Sequence, residues 1–398
     1  MADSNRVQMA MAKESTFNTH PSSGGTWNGI RLLSESLKQD LTLGSSDEIR
    51  AYRDIPELNL TDKGVSGSIN TNLYYDTKFM DEVFMGALGA SSTGFSDSGS
   101  SNVVFSGTMA IDQDARRYSA TLAHQPQVGE WVYITGAANA ASNGYHQCAS
   151  ASAGNFTVNA PIGADEGSVS LVVRTMPEIT NYNPTLSSYS IQRDYTSLSN
   201  IGEYFTGCVI DGLTIDCTGQ DTAKVTTDFV GVSAVSDTSS ETIDNAAATN
   251  PAMTTINGVQ MVREGTGAGN TAGIECLGFT INVSNNNRKR YELGTLGPKS
   301  MALGDFVVTG TLQMYFATST LFDKFLNQTA TALCMGISDE TTGASTLQNG
   351  YVFDFPNVRF TDGQRVAGGR NQDIIADMSW QAIHNGDSSG YTMKIART

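Results

Sequence analysis

The chain has 398 residues, of which 39% are hydrophobic, so it is long enough to bury two or three separate cores. Its 40 acidic residues outnumber its 24 basic ones, and the net charge of −16 excludes a surface that grips nucleic-acid phosphate through counterion release. Glycine is frequent, proline is rare, and Ser, Thr, Val and Asn are plentiful, which favours short strands joined by turns. The composition therefore predicts a globular, mainly β protein.

The N-terminal residues 1–26 are polar and end in Pro21-Ser-Ser-Gly-Gly25, a composition that cannot bury enough surface to fold alone. They are predicted to form an N-terminal arm, either a disordered tail or a segment that orders on a neighbouring subunit. The arm lacks the apolar segment of a signal peptide, and no stretch of the chain approaches membrane-spanning length. We therefore expect no membrane anchor.

A first domain is predicted from residues 27–90 and 179–235. Its strands are expected at 28–35, 36–43, 65–76, 187–193, 207–217 and 224–233, with a polar, charged excursion at 44–63. In the strand at 65–76, apolar and polar residues alternate, which is the period of a half-buried strand. A short helix should follow, because four apolar residues recur at helical spacing: Met80, Val83, Phe84 and Leu88.

The composition changes at Ala90, where a Ser/Gly-rich run begins, and residues 91–178 carry a strand pattern of their own. Turn signals at Asn143-Gly144 and Gly154-Asn155 predict an inserted small β domain, either a barrel or an immunoglobulin-like sandwich. We expect the domain around it to fold without this insertion.

A linker is predicted at 236–255 and a second domain at 256–398. The second domain repeats segments of the first in the same order, which predicts an internal duplication. The matched pairs are Asn28–Glu35 with Asn257–Glu264, Gly67–Leu73 with Gly310–Phe316, Met80–Phe84 with Phe322–Leu326, and Val225–Phe229 with Ile374–Met378. Each copy should be a β-sandwich or partly closed barrel with one flanking helix, whose apolar face in the second copy is Phe322, Phe325, Leu326 and Ala330.

No catalytic, cofactor or metal site is predicted. The glycine-rich run Gly265–Gly273 precedes a predicted strand, whereas a phosphate cradle needs a helix N-terminus after it. The four histidines are scattered, and the adjacent carboxylates Asp81-Glu82 and Asp165-Glu166 are typical of surface positions in helices and turns. The five cysteines form no Cys-x-x-Cys pair, which fits reduced thiols in a cytoplasm. An enzyme is not expected.

Several weak motifs stand along both copies in an order that resembles the major tail tube proteins of long-tailed (siphovirus-type) bacteriophages. In the first copy they are Ser45–Arg53, Gly64, Gly67 and the strand-helix unit ending at Leu88. In the second copy they are Leu293-Gly294, Gly304–Phe306, Gly310–Leu312, Asp323–Leu326, Tyr351–Pro356 and Gly368–Asp373. The insertion departs from this pattern.

The resemblance implies a structural virion protein whose rings stack into the tail tube, the conduit for double-stranded DNA. It implies self-association, assembly in the host cytoplasm, contacts with tape measure and tail terminator or tip proteins, and an insertion on the tube exterior. Rings of this family commonly have six-fold inner symmetry, so two equivalent domains per chain imply a trimer that closes as a pseudo-hexamer. The alternative is a receptor-binding or fibre-type β-rich virion protein, which would not need duplicated halves.

Two sets of candidate site residues follow. The excursions carry opposite charge, net −3 over residues 45–62 and net +3 over 285–300, so they are predicted to meet between subunits, although each could be a solvated loop. Those candidates are Asp47, Glu48, Arg50, Arg53, Arg288, Lys289 and Arg290. The polar faces of two equivalent strands could line a lumen or an outer surface. These candidates are Ser68, Asn70, Asn72, Thr311, Gln313 and Tyr315.

Overall fold

The computed structural model describes residues 6–21, 27–52, 54–55, 57–90, 95, 104–120, 125–152, 154–196, 201–237, 241–244, 250–265, 272–316, 319–339, 348–366, 370, 372–386 and 390–398. The part before the insertion contains β1 (Val7–Lys13), β2 (Trp27–Ile30), β3 (Leu32–Glu35), β4 (Lys38–Ser45), β5 (Leu58–Asn72) and α1 (Phe79–Leu88). The insertion contains β6 (Val104–Asp112), β7 (Arg117–Ser119), β8 (Trp131–Thr135), β9 (Gly144–Ser152), β10 (Asn155–Val158) and β11 (Glu166–Thr175).

Six strands follow the insertion: β12 (Glu178–Thr180), β13 (Tyr189–Tyr195), β14 (Gly202–Thr218), β15 (Lys224–Gly231), β16 (Ser233–Asp237) and β17 (Ile243–Asp244). The remaining elements are β18 (Val259–Glu264), β19 (Ala272–Gly273), β20 (Cys276–Ser284), β21 (Arg288–Arg290), β22 (Ser300–Ala302), β23 (Val307–Tyr315), α2 (Thr320–Leu326), β24 (Thr331–Ser338), β25 (Gly350–Val366), β26 (Ile375–Ala382) and β27 (Lys394–Arg397). We call β1–β5, α1 and β13–β16 the first body, and β18–β27 with α2 the second body. The prediction of a mainly β fold with a helix flanking each copy is confirmed.

The inserted strands close into a barrel in the order β10–β7–β6–β11–β8–β9. Of the two predicted alternatives, the structure therefore has the barrel. Its interior is a separate apolar cluster that includes Met109, Tyr118, Val132, Phe156 and Leu171. A continuous second core runs through both bodies, because alternate residues of their strands point to a shared interior.

The N-terminal arm differs from the prediction. Residues 7–13 form β1, which pairs antiparallel with β13 and with β2 of the same chain. Met9 and Met11 are buried in the core that the strands of both bodies share. The segment is therefore part of the first body. Polar residues on both sides of this short apolar stretch make the average composition of residues 1–26 polar. The composition of the segment therefore suggested an arm.

Helix α1 confirms its predicted apolar face. Met80, Val83, Phe84 and Leu88 are all buried, and the helix ends at Gly89 in the left-handed region, where glycine carries no Cβ penalty. Helix α2 does not confirm its predicted face: Phe322 and Phe325 are half-buried, whereas Leu326 and Ala330 are exposed. Nothing within the described part of the chain covers that side of α2.

Candidate functional site

The C-terminal half of β14 joins the two bodies into one sheet. One edge of residues 212–218 pairs with β20 of the second body, while residues 209–216 pair with β15 along the other edge. Hydrogen-bonded neighbours then run in the order β4–β5–β15–β14–β20–β23–β26–β25. We call these eight strands the joined sheet and the pairing of β14 with β20 the internal joint.

One face of the joined sheet is polar across its whole width. Residues directly opposite one another in an antiparallel pair share a face, so Asn70, Thr226, Thr214, Asn282 and Thr309 form one row. Asn70 Nδ2 donates to Oγ of Ser34 at 2.8 Å, and Thr226 Oγ1 donates to Oδ1 of Asn70 at 2.6 Å. Across the internal joint, Thr214 Oγ1 donates to Oδ1 of Asn282 at 3.0 Å.

The six candidate lumen residues all lie on this polar face: Ser68, Asn70, Asn72, Thr311, Gln313 and Tyr315. Thr311 shares a 2.8 Å hydrogen bond with Thr280, and Gln313 donates to Asp377 at 2.8 Å. Their strand neighbours Ile69 and Leu312 are buried on the opposite face. The structure therefore brings the two sets together on one surface.

The charges on the polar face are mixed and sparse. The basic side chains on this face include Lys38, Lys224 and Arg359, and the register places five aspartates beside them: Asp40, Asp216, Asp228, Asp362 and Asp377. A surface with more carboxylates than cations has no array of positive charge to hold a phosphate backbone. It offers hydrogen-bonding groups without an apolar wall.

The two bodies repeat one pairing order. In the first, neighbours run β1–β13–β14–β15–β5–β3, and in the second they run β18–β24–β25–β26–β23–β20. The long strands β14 and β25 even carry a register shift at the same place, between Ile210 and Gly212 and between Phe360 and Asp362. α1 follows β5 and, with the insertion and β12 left aside, precedes β13. In the second body α2 follows β23 and precedes β24, the strands at the equivalent places in the order.

The first of the repeat pairs read from the sequence is wrong. Asn257–Glu264 contains β18, which takes the place of β1, whereas Asn28–Glu35 contains β2 and β3. An eight-residue likeness of apolar and polar types is too short to fix which strand corresponds to which. The pair Gly67–Leu73 with Gly310–Phe316 does fall on equivalent strands, β5 and β23.

Two strand edges equivalent to the internal joint are unpaired in the described part of the chain. β3 and β4, which occupy the place of β20, pair only with β5. Residues 359–366 of β25, which occupy the place of the joint in β14, pair only with β26. Exposed edges present unpaired N–H and C=O groups and are templates for another strand.

The charged excursions take different forms. Most of the first is a hairpin in which Ser45 pairs with Leu58, and its connection carries the exposed Ile49 and Ile55. The second contains β21 and β22 and packs on the first body, where Asn285 Nδ2 donates to the carbonyl oxygen of Ile210 at 2.9 Å. The excursions touch through Tyr291 Oη, which donates to Asp62 at 3.0 Å.

The candidate contact residues are not brought together within the described residues. Arg50 pairs with Glu48 in its own loop at 2.6 Å, and Arg288 donates to the carbonyl oxygen of Leu303 at 3.4 Å. Asp47 lies in the connection of the first hairpin, and Lys289 and Arg290 lie in β21. Arg53 lies outside the described residues. Their role between subunits stays a prediction.

The barrel is seated on the second body, although it is inserted in the first. Trp131, Tyr133 and Tyr145 of the barrel form a buried cluster with apolar side chains of the second body: Met261, Cys334, Val352 and Ala396. Trp131 Nε1 and Gln147 Nε2 donate to the buried carboxylate of Asp354 at 3.2 and 3.0 Å. Burial raises the pKa of Asp354, and these two donors oppose the shift.

A second polar contact lies beside this cluster. Lys394 of β27 donates to Glu178 at 2.7 Å and to the carbonyl oxygen of Gly129 at 3.0 Å. β12, which leaves the barrel, also adds to the edge of β27. Buried polar groups with partners fix a single geometry, so the barrel is held rigidly.

Spacing and burial limit the chemistry of the titratable side chains that the structure describes. Among the described residues, no three His, Cys, Asp or Glu side chains are grouped closely enough to hold a metal ion. Burial raises the pKa of Asp81 to about 7, and Arg397 at 3.2 Å opposes the shift. Burial also raises the pKa of the Cys276 thiol to about 11 and of Cys148 to about 12, which disfavours the reactive thiolate. Neither described helix is long and apolar enough to span a membrane.

Comparison with known proteins agrees with this arrangement. No curated protein matches the chain. A family model described as "Phage tail tube protein" matches residues 4–382, which include the first body, the inserted barrel and the second body as far as β26. A match over nearly the whole chain assigns it as a structural component of the virion tail. The chain therefore belongs to the phage tail tube protein family.

Proposed function

We propose that the chain polymerises into rings that stack as the tail tube and conduct the genome into the host cell. The observation that carries this proposal is the internal joint, together with the equivalent pair of edges at the two ends of the joined sheet that no described strand pairs with. A head-to-tail contact of this kind closes into a ring when the rotation per body divides a full turn. A receptor-binding or fibre protein would have no use for such edges.

The internal joint also supplies the register of the contact between chains. Positions in β14 and β25 differ by 150 across the shared bulge (360 − 210), so Gln364 takes the place of Thr214. Ser66 of β5 and Thr309 of β23 are at equivalent positions, because each precedes a matched glycine. Lys38 lies opposite Ser66 and Asn282 lies opposite Thr309, so Lys38 takes the place of Asn282. Lys38 of one chain should therefore lie opposite Gln364 of the next.

The ring that follows has three chains and six bodies. This proposal includes the domain division at 27–90 with 179–235, to which β1 is added, and at 256–398, and an origin of the two bodies by duplication. The matching strand order and matching bulges support both. The barrel, seated on the N-terminal half of β25, would then lie away from the polar face built by its C-terminal half.

A cysteine pair tests the joint between chains. With Lys38→Cys and Gln364→Cys in one chain, mild oxidation of assembled protein should give covalent dimers and trimers on a denaturing gel, because directly opposed strand positions have Cβ atoms about 5 Å apart. Four of the five native cysteines are buried, so background coupling should be low. Each single variant is the matched control. Assembled double variant that stays monomeric on the gel would disprove this register.

The lumen is proposed to be the polar face of the joined sheet. Its hydrogen-bonded, weakly acidic surface would let double-stranded DNA pass without specific binding. The chain's other partners in this proposal are tape measure and tail terminator or tip proteins. Assembly would take place in the host cytoplasm, and no enzymatic activity is proposed.

Lysines on the lumen face should slow DNA passage. Asn70→Lys together with Gln313→Lys places two cations in each chain and six in a ring of three, and their phosphate contacts should be strongly salt-dependent. Phage with both changes should build tails of normal length and eject DNA slowly at low salt, with recovery as salt rises. Val128→Lys on the barrel is the control for added charge. Unaltered ejection at every salt concentration would remove this face from the lumen.

A further inference from the structure

The two helices occupy equivalent places and have different surroundings. Each packs on the long strand of its own body, α1 on β14 and α2 on β25. α1 is also covered on its outer side and has eight buried residues, whereas α2 has none. The difference is that the second body supplies side chains that cover the outer side of α1.

The second body covers α1 inside the chain. The ring of Phe84 lies 5.0 Å from that of Tyr351 and 6.0 Å from that of Phe353, both in β25. Just before the helix, the backbone N–H of Asp76 donates to Tyr351 Oη at 3.1 Å. At the other side Asp81 pairs with Arg397 of β27. This contact therefore combines edge-to-face aromatic rings, a hydrogen bond from the backbone and an ion pair.

The equivalent side of α2 has no such cover among the described residues. Leu326, which matches Phe84 in the repeat, is 63% exposed, and Phe322 and Phe325 are half-buried against Arg365 and the core. The carboxylate of Asp323, which matches Asp81, accepts a hydrogen bond from Ser319 Oγ at 2.8 Å within its own helix turn. An exposed leucine beside two half-buried phenylalanines is an apolar patch that no described residue of its own body covers.

The surface equivalent to the one that covers α1 is exposed on the first body. The offset of 150 between β14 and β25 puts Ile201 at the place of Tyr351 (351 − 150) and Glu203 at the place of Phe353. Ile201 is 50% exposed. Beside it, Arg193 extends over the ring of Phe205 and pairs with Glu35 and Glu203, so this arginine already has its ion-pair partners within the first body.

We infer that α2 of one chain packs on the first body of the next chain, with Leu326 against Ile201, as α1 packs on the second body within a chain. The inference rests on the proposed function, because the occupant is a second copy of this chain in the same ring. It goes beyond the pairing of strand edges, since it assigns a side-chain interface that covers the exposed side of α2. Continuity with the internal interface supports it, because both surfaces flank the free edges of the joined sheet.

Substitution of Leu326 tests the interface without touching the fold. Leu326→Glu should leave the melting temperature of the unassembled chain unchanged, because the side chain is mostly exposed there. It should lower ring and tube yield at least tenfold, because burial of an unpaired carboxylate opposes assembly. Val128→Glu is the matched control, an equally exposed apolar residue on the barrel. It should assemble like the wild type.

A cross-link supplies the positive evidence. Ile201→Cys with Leu326→Cys, treated with a short bismaleimide after assembly, should give a ladder that ends at three chains, and neither single variant should. Normal assembly of Leu326→Glu together with no ladder from assembled double variant would overturn the inference and leave the ring proposal standing. If the wild-type chain forms no rings at all, the ring proposal fails and the inference fails with it.

Discussion

Replacing Trp131 with alanine is expected to lower the free energy of unfolding by about 3–5 kcal/mol, the range of large-to-small substitutions of buried aromatics. The side chain is buried between the barrel and the second body, and its Nε1 donates to Asp354. The change opens a cavity and leaves the carboxylate with one fewer donor. Urea denaturation should show the loss, and the barrel should unfold in a transition separate from the bodies.

Two variants separate packing from hydrogen bonding. Trp131→Phe keeps most of the ring but removes the donor, and Asp354→Asn keeps an acceptor for Trp131 while removing the buried charge. Both should lose less stability than Trp131→Ala. An unfolding curve for Trp131→Ala with the wild-type midpoint would show that the Trp131 contact does not stabilise the barrel on the second body.

The same contacts change one expectation drawn from the sequence. Removal of residues 91–178 was expected to leave the surrounding domain able to fold, because the insertion lies in a loop of the first copy. The structure shows that removal would uncover an apolar patch of the second body, formed by Met261, Cys334, Val352 and Ala396. It would also take away Glu178, the partner of Lys394. A deletion therefore needs polar replacements at that patch.

Shortening the hairpin of β4 and β5 is expected to abolish tubes and leave rings. Ser45 and Leu58 are the last paired residues, so residues 46–57 can be replaced by an Asn-Gly turn that suits a two-residue hairpin. This removes Ile49 and Ile55, which are 102% and 71% exposed and are not covered by any residue that the structure describes. We propose that they pack on the next ring. Electron microscopy and sedimentation should show single rings in place of long tubes.

Charge offers the competing account of stacking. Asp47→Lys with Glu48→Lys keeps both isoleucines but reverses the acidic side of the hairpin. If charge pairs the excursions, these changes should also stop tubes, and Arg288→Glu with Arg290→Glu should restore them. If apolar burial dominates, the charge variants should still form tubes, because exposed ion pairs contribute little each. Long tubes from the shortened hairpin would refute both accounts.

Local pattern predicted the elements whose surroundings are simple. The strict alternation around Ile69 and Leu312 identified β5 and β23 and the polar face they carry, and helical spacing identified α1. It missed β24, because that strand is buried on both faces and so does not alternate. It overrated the burial of α2, because helical spacing shows which side is apolar and does not show whether anything covers it.

The internal joint could not have been predicted from the sequence. It pairs Thr214 with Asn282, far apart in the chain, through backbone groups that are the same in every residue. One signal was available: Thr214, Asp216 and Thr218 alternate with buried Leu213, Ile215 and Cys217, so the polar face of β14 was readable. The position of the barrel on the second body depends on Trp131 reaching Asp354, a contact that no local pattern contains.

The number of chains in one ring tests the central claim most directly. Helical reconstruction of assembled tubes, or native mass measurement of single rings, counts them without any substitution. Three chains of 42.3 kDa should close one ring with six similar bodies around the bore, and the strand at Lys38 should continue the sheet of the neighbouring chain beside Gln364. A ring of six chains, or a bore lined by any surface other than the polar face of the joined sheet, would contradict the account.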